Sequence, residues 1–273
     1  MPATKLQTHR VEKPWGRTRL FPGFPDVAEG GKPVGEVWFQ EPGDSKPDML
    51  IKYLFTSEKL SVQVHPNDDQ AHERGLPRGK DECWTVLEAA SDSTIALGPK
   101  QAITADKLRA DAQDGSIEGD LDWVPINVDD FYYCPSGTIH AIGGGLTVIE
   151  IQQNSETTYR LYDYGSDREL HLKDGVDVAH LTPYQPAPSP GEVEPGRTIK
   201  VEGPKFVLER WSAGRAVALP EGTTGWLVPI KGAGSVAGIE WKAGECVTVT
   251  GVETIEAGEG ADLLFAYPGT RRI

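Results

Sequence analysis

The sequence predicts a mainly β fold: a barrel-type domain with a short helical insert, followed by a smaller C-terminal β-domain. Three observations predict it. Of the 273 residues, 31 are glycine and 21 are proline, and so many turn formers favour short strands over long helices. Most apolar segments are short and alternate with polar residues. A proline-rich seam, Pro183 to Arg197, divides the chain and gives expected bounds of 1–185 for the first domain, 186–198 for a linker and 199–273 for the second domain.

Taken in order, the strand candidates are MLIKYLF (49–55), KLSVQVH (59–65), ECWTVLE (82–88), STIALG (93–98), DFYYC (130–134) and LTVIEIQ (146–152), each bounded by Gly, Pro, Asn or Asp. One segment breaks the pattern. In 103–124, Thr104 is placed to cap a helix, Asp106 follows in its first turn, and Leu108 and Ala112 share one helical face, which predicts one or two short helices. Beyond the seam, TTGWLVPIKG, AGECVTVTG and ADLLFAYPG return to strand patterning and predict a small sandwich or half-barrel.

Composition excludes several classes. The formal net charge of −14 argues against nucleic acid or an anionic membrane as a partner. Nothing resembles a bilayer-spanning apolar run, and the first residues lack the apolar core of a secretory signal. Cys83, Cys134 and Cys246 are odd in number and lack CxxC spacing, so they read as buried small residues in a reducing cytoplasm. All six histidines precede the seam, which confines imidazole chemistry to the first domain.

The chemistry concentrates in three short runs. In Ser61-Val62-Gln63-Val64-His65, strand alternation puts Ser61, Gln63 and His65 on one face and the valines on the other, where they read as the layer between sheets. In Lys80-Asp81-Glu82, alternation pairs Lys80 with Glu82, and a carboxylate inside a barrel must be paired or coordinated. Pro135-Ser136-Gly137-Thr138-Ile139-His140 reads P-x-G-x-x-H, the second signature of cupin (jelly-roll) barrels, with Asp129 and Asp130 where a glycine usually precedes the turn. Two imidazoles, a carboxylate and an amide describe a catalytic metal site. Zinc is the default ion, with manganese, iron or cobalt open because sulfur ligands are absent. His9, His72, His171 and His180 read as surface or packing residues. Further on, Glu150 shares a face with Val148, Gln152 and Asn154, and Arg160 with Thr158 and Tyr162; the pair reads either as pocket residues or as a buried ion pair.

Six runs carry a family resemblance: KPWG (13–16), LSVQVHPND (60–68), GKDECW (79–84), PSGTIHAIG (135–143), IEIQQNSETTYRLYDYG (149–165) and RELHLKDGVDV (168–178). The first domain resembles class I mannose-6-phosphate isomerase in its short bacterial form. The C-terminal third carries no such run. The resemblance implies metal ligation by Gln63, His65, Glu82 and His140, an active-site arginine at Arg160, and substrate-pocket roles for Lys80 and Glu150. It also implies interconversion of mannose 6-phosphate and fructose 6-phosphate through a cis-enediol, in which Glu150, Lys80 or a metal-bound water moves the proton. Two other readings compete. One is a different cupin reaction, such as another sugar-phosphate isomerase or an iron oxygenase. The other is a sugar-phosphate-binding cupin without turnover.

Overall fold

Alternation along single strands sets the layering of the molecule. The computed structural model describes residues 1–21, 23–43 and 46–273. The strand Met49–Thr56 is buried on both faces. Met49, Ile51, Tyr53 and Phe55 enter one core cluster, while Leu50, Lys52 and Leu54 point into the barrel. A strand that is covered on both sides belongs to an inner layer.

That strand sits in a six-stranded sheet ordered Gln7–Arg17, Val34–Gln40, Met49–Thr56, Leu146–Gln153, Glu82–Ala89, Phe131–Cys134. A five-stranded sheet closes the barrel, ordered Tyr159–Tyr162, Val62–Val64, His140–Ile142, Thr94–Pro99, Leu121–Pro125. All pairings are antiparallel. Leu54, Trp84, Ile95, Leu97, Ile142 and Val148 fill the apolar part of the interior between the two sheets. The mainly β, cupin-type architecture is therefore as expected.

The helical insert is also where the sequence predicts it. One helix spans Ala105–Asp114, with the Thr104 side chain accepting from the Lys107 amide, and a second spans Ile117–Asp120. Leu108 and Ala112 are buried against the outer face of the five-stranded sheet together with Val62, Val64 and Val176. The two valines thus face helices rather than a second sheet, which corrects the layer expected for them. The helix Leu172–Val178, which supplies Val176, was not anticipated.

The seam also differs from expectation. Residues Gly191–Glu194, inside the stretch expected as a linker, form a strand paired with Arg197–Glu202. The N-terminal strand Ala3–Lys5 pairs with Val247–Thr250, so the first residues join a C-terminal sheet. That seven-stranded sheet packs Phe206, Leu208, Trp226 and Leu264 into the same cluster as Tyr53, Phe55 and Ile151. Its other face packs Leu227, Phe265 and Trp211 with residues of a four-stranded sheet, Ile255 and Trp241 among them. The second half is stacked on the first through a shared apolar layer because both sheets present alternate apolar residues there. Cys83, Cys134 and Cys246 are free and buried. Among the described residues, no helix is long and apolar enough to cross a membrane.

Candidate metal centre and substrate pocket

Three strands and one turn bring the predicted donors together. Gln63 lies on Val62–Val64, next to His140–Ile142, with Gln63 and His140 as register partners. Glu82 opens the strand Glu82–Ala89. His140 follows the turn Pro135–Thr138, closed by the Thr138 amide donating to the Pro135 carbonyl. Gly137 has φ +84° there, a conformation glycine adopts without a Cβ penalty, and an added Cβ would fall 2.6 Å from the His180 ring. His180 is thus a packing residue of this turn. The glycine missing before the turn is replaced by Asp129, which itself takes φ +73°.

His65, Glu82 and His140 are buried, and one ligand atom from each lies within 4.8 Å of the others. Glu82 Oε1 is 3.0 Å from His140 Nε2 and 3.5 Å from His65 Nε2. Each imidazole is fixed by its other nitrogen. His65 Nδ1 lies 2.9 Å from the Thr157 carbonyl and His140 Nδ1 lies 2.9 Å from the Thr138 carbonyl. A carbonyl only accepts, so both Nδ1 atoms carry a proton, and each ring turns its Nε2 atom toward the Glu82 carboxylate. Burial, followed by the Lys80 cation, pushes His65 down to about 3, which keeps it neutral. Burial alone would raise the Glu82 carboxyl, but the neighbouring Lys80 ammonium holds it well below the usual range. Two imidazole nitrogens and a carboxylate converge, and among the described residues neither buried Glu82 oxygen has a well-formed hydrogen-bond partner. A divalent cation satisfies this donor set, so the residues fit a metal ion. The Gln63 amide is 3.2 Å from His140 Nε2 and can offer its oxygen there after rotation.

The remaining predicted residues line one pocket of about 300 Å³ beside this cluster, together with Gln63. Lys80 Nζ is 2.9 Å from Glu82 Oε2 and 3.3 Å from His65 Nε2. Glu150 and Arg160 both reach the pocket but do not pair with each other. Glu150 Oε1 is 2.7 Å from Lys52 Nζ, and Oε2 accepts from Trp84 Nε1 at 2.9 Å. Lys52 also meets Glu36 Oε2 at 3.4 Å, and Glu36 accepts from Trp38 Nε1. Burial works against the Lys52 ammonium, yet Glu150 and then Glu36 raise its pKa and keep it charged. Arg160 Nη1 donates to the Glu169 carbonyl, and its buried Nε has no hydrogen-bond partner among the described residues. A bulge between Arg160 and Tyr162 sends Tyr162 to the helix-packed face with Leu161, so Tyr162 does not share the face of Arg160 as expected.

Sequence reasoning missed Lys52, Glu36, Trp38 and Arg168, which line the same pocket. A lysine in the middle of the apolar run MLIKYLF was the available signal, because a buried ammonium needs anionic partners.

No protein-family model matches the chain. It is 34% identical over 235 residues to the "Probable mannose-6-phosphate isomerase" of Bacillus subtilis (strain 168), spanning 79% of this chain and 74% of that one. A crystal structure of mannose 6-phosphate isomerase from Bacillus subtilis superposes with a TM-score of 0.80 at 28% identity, covering 97% of this chain and 99% of the other. A zinc-bound crystal structure of mannose 6-phosphate isomerase shares the fold with a TM-score of 0.70 at 12% identity, over 98% of this chain and 100% of the other. Barrel, donor cluster and pocket define a metal-dependent isomerase of the cupin type. Within that class, the chain belongs to the mannose-6-phosphate isomerase family.

Proposed function

We propose that this chain interconverts mannose 6-phosphate and fructose 6-phosphate, with one zinc ion held by Gln63, His65, Glu82 and His140. The observation that carries the reading is that a metal-fitting donor set and an arginine with no ion-pair partner among the described residues share one pocket. A divalent ion on such N/O donors supplies electrostatic stabilisation of charge developing on sugar oxygens. The relative of the same fold that binds zinc favours that ion.

The pocket's cations are mostly neutralised already. Lys52 is engaged by Glu36 and Glu150, Lys80 by Glu82, and Arg168 by Asp163 at 2.5 Å. Among the described residues, no carboxylate lies within ion-pairing distance of Arg160. Burial, followed by the nearby Arg168 cation, lowers the Arg160 pKa, and the Asp163 and Glu169 carboxylates offset part of that. A phosphate of about −2 charge relieves this repulsion and accepts the planar fork of Arg160. Proton transfer between C2 and C1 needs a group within hydrogen-bond reach of both carbons. Glu150 and Lys80 are our candidates. At rest Glu150 Oε1 is ion-paired with Lys52 and Oε2 accepts from Trp84, and each oxygen keeps a further lone pair that can take a proton.

A coupled assay that follows fructose 6-phosphate formed from mannose 6-phosphate tests the reading. Saturable turnover is expected. Saturable binding of the sugar phosphate with no product would identify a binding module instead.

A further inference from the structure

We infer that Lys205, contributed by the C-terminal half, is a positioning residue that sets the peptide carrying the pocket lysine Lys80. The inference rests on the role proposed above for Lys80. Lys205 lies in the turn between the strands Arg197–Glu202 and Phe206–Trp211, and its Nζ donates to Asp68 Oδ2 at 2.6 Å. The other Asp68 oxygen, Oδ1, accepts from the Gly79 amide at 2.7 Å and from Gln153 Nε2 at 3.0 Å. Gln153 Oε1 in turn accepts from the Asp81 amide at 2.9 Å. The two amides that flank Lys80 are therefore held by Asp68 and Gln153, which are bonded to each other.

The coupling is tight because the backbones touch. A Cβ on Gly79 would fall 2.5 Å from the Asn67 carbonyl carbon and 2.7 Å from the Asp68 nitrogen, and the Lys80 amide donates to the Pro66 carbonyl. A shift of Asp68 must therefore pass into residues 79–81, and Lys80 Nζ sits within 3.3 Å of both Glu82 and His65. Burial works against the Asp68 carboxylate, but Lys205 and then the Gly79 amide hold it down to about 2. Without the ammonium, a partly buried carboxylate loses its only ion-pair partner among the described residues and is drawn towards solvent. Lys205 and Asp68 border a cavity of about 260 Å³ that gives it room to turn. The Lys205 side chain is 32% exposed, so replacing it does not open the core.

The test compares wild type, Lys205→Met and Lys205→Arg. For Lys205→Met we expect kcat to fall about ten-fold with KM within about two-fold, because misplacement of a pocket group costs turnover more than uniform binding. Lys205→Arg should restore most of kcat. Amide exchange read by NMR should show Gly79 and Asp81 exchanging faster in Lys205→Met, with amides inside Glu82–Ala89 unchanged and the same metal content as wild type. Unchanged exchange at Gly79 and Asp81, or unchanged kcat in a folded Lys205→Met protein, would overturn the inference. If the wild-type protein shows no turnover, the role proposed for Lys80 falls, and the exchange comparison still decides whether Lys205 orders this peptide.

Discussion

Arg160 is the register partner of Gln63 on the neighbouring strand, so a cation with no carboxylate partner among the described residues stands beside the proposed metal donors. Substitution Arg160→Lys should not be conservative, because an ammonium cannot reproduce the planar fork. We expect kcat/KM to fall at least ~100-fold, about 2.7 kcal/mol of transition-state binding, with fold and metal content retained. A rise in KM alone would assign Arg160 to uniform phosphate binding, and a fall in kcat would assign it to the chemical step. Near-wild-type kinetics would remove it from the site. At this scale much was legible: two-residue alternation alone puts Gln63 with His65 and Lys80 with Glu82, and the Pro-x-Gly turn aims His140. What alternation could not say is which ions meet across strands. It left Glu150 and Arg160 open as an ion pair, whereas the partner of Glu150 is Lys52, separated from it by six strands in sequence but adjacent by register.

At the scale of elements, strands with an apolar face and a clear turn on each side were readable, from 49–55 through 146–152. The strand Gln7–Arg17 was not, because most of its residues are exposed or half-buried and mainly polar. The helix Asp68–Glu73 was missed too, since its six residues are too few to show a period, although the Asn67 side chain caps it. The inserted helix Ala105–Asp114 was legible from its cap and from Leu108 and Ala112. It touches the site only through the sheet it covers, so it should contribute stability and not chemistry. Leu108 is fully buried, and Leu108→Ala should cost about 2–5 kcal/mol as a cavity opens. Thermal or denaturant unfolding should show that loss while kcat per folded molecule stays at the wild-type level. A large fall in kcat at unchanged stability would show that the insert shapes the pocket.

At the scale of the whole molecule, the sequence marked two β-rich halves but not how they meet. Alternation reveals that a strand has an apolar face without revealing which sheet covers it, so the layer joining Tyr53 and Phe55 to Phe206 and Trp226 could not be read in advance. We read the molecule as two stacked β-sandwiches that share this layer, with the donor cluster and its pocket between the sheets of the first. The global charge of −14 opposes an anionic substrate, and the pocket answers it locally with Arg160 beside a set of donors that fits a divalent cation. The most direct test of this account is to measure turnover of mannose 6-phosphate against metal content per chain during stepwise chelation and re-addition of zinc. The account predicts about one equivalent of divalent metal in the fully active protein, activity that falls in proportion to occupancy, and recovery when zinc is returned. Full turnover by protein verified to be metal-free would contradict it.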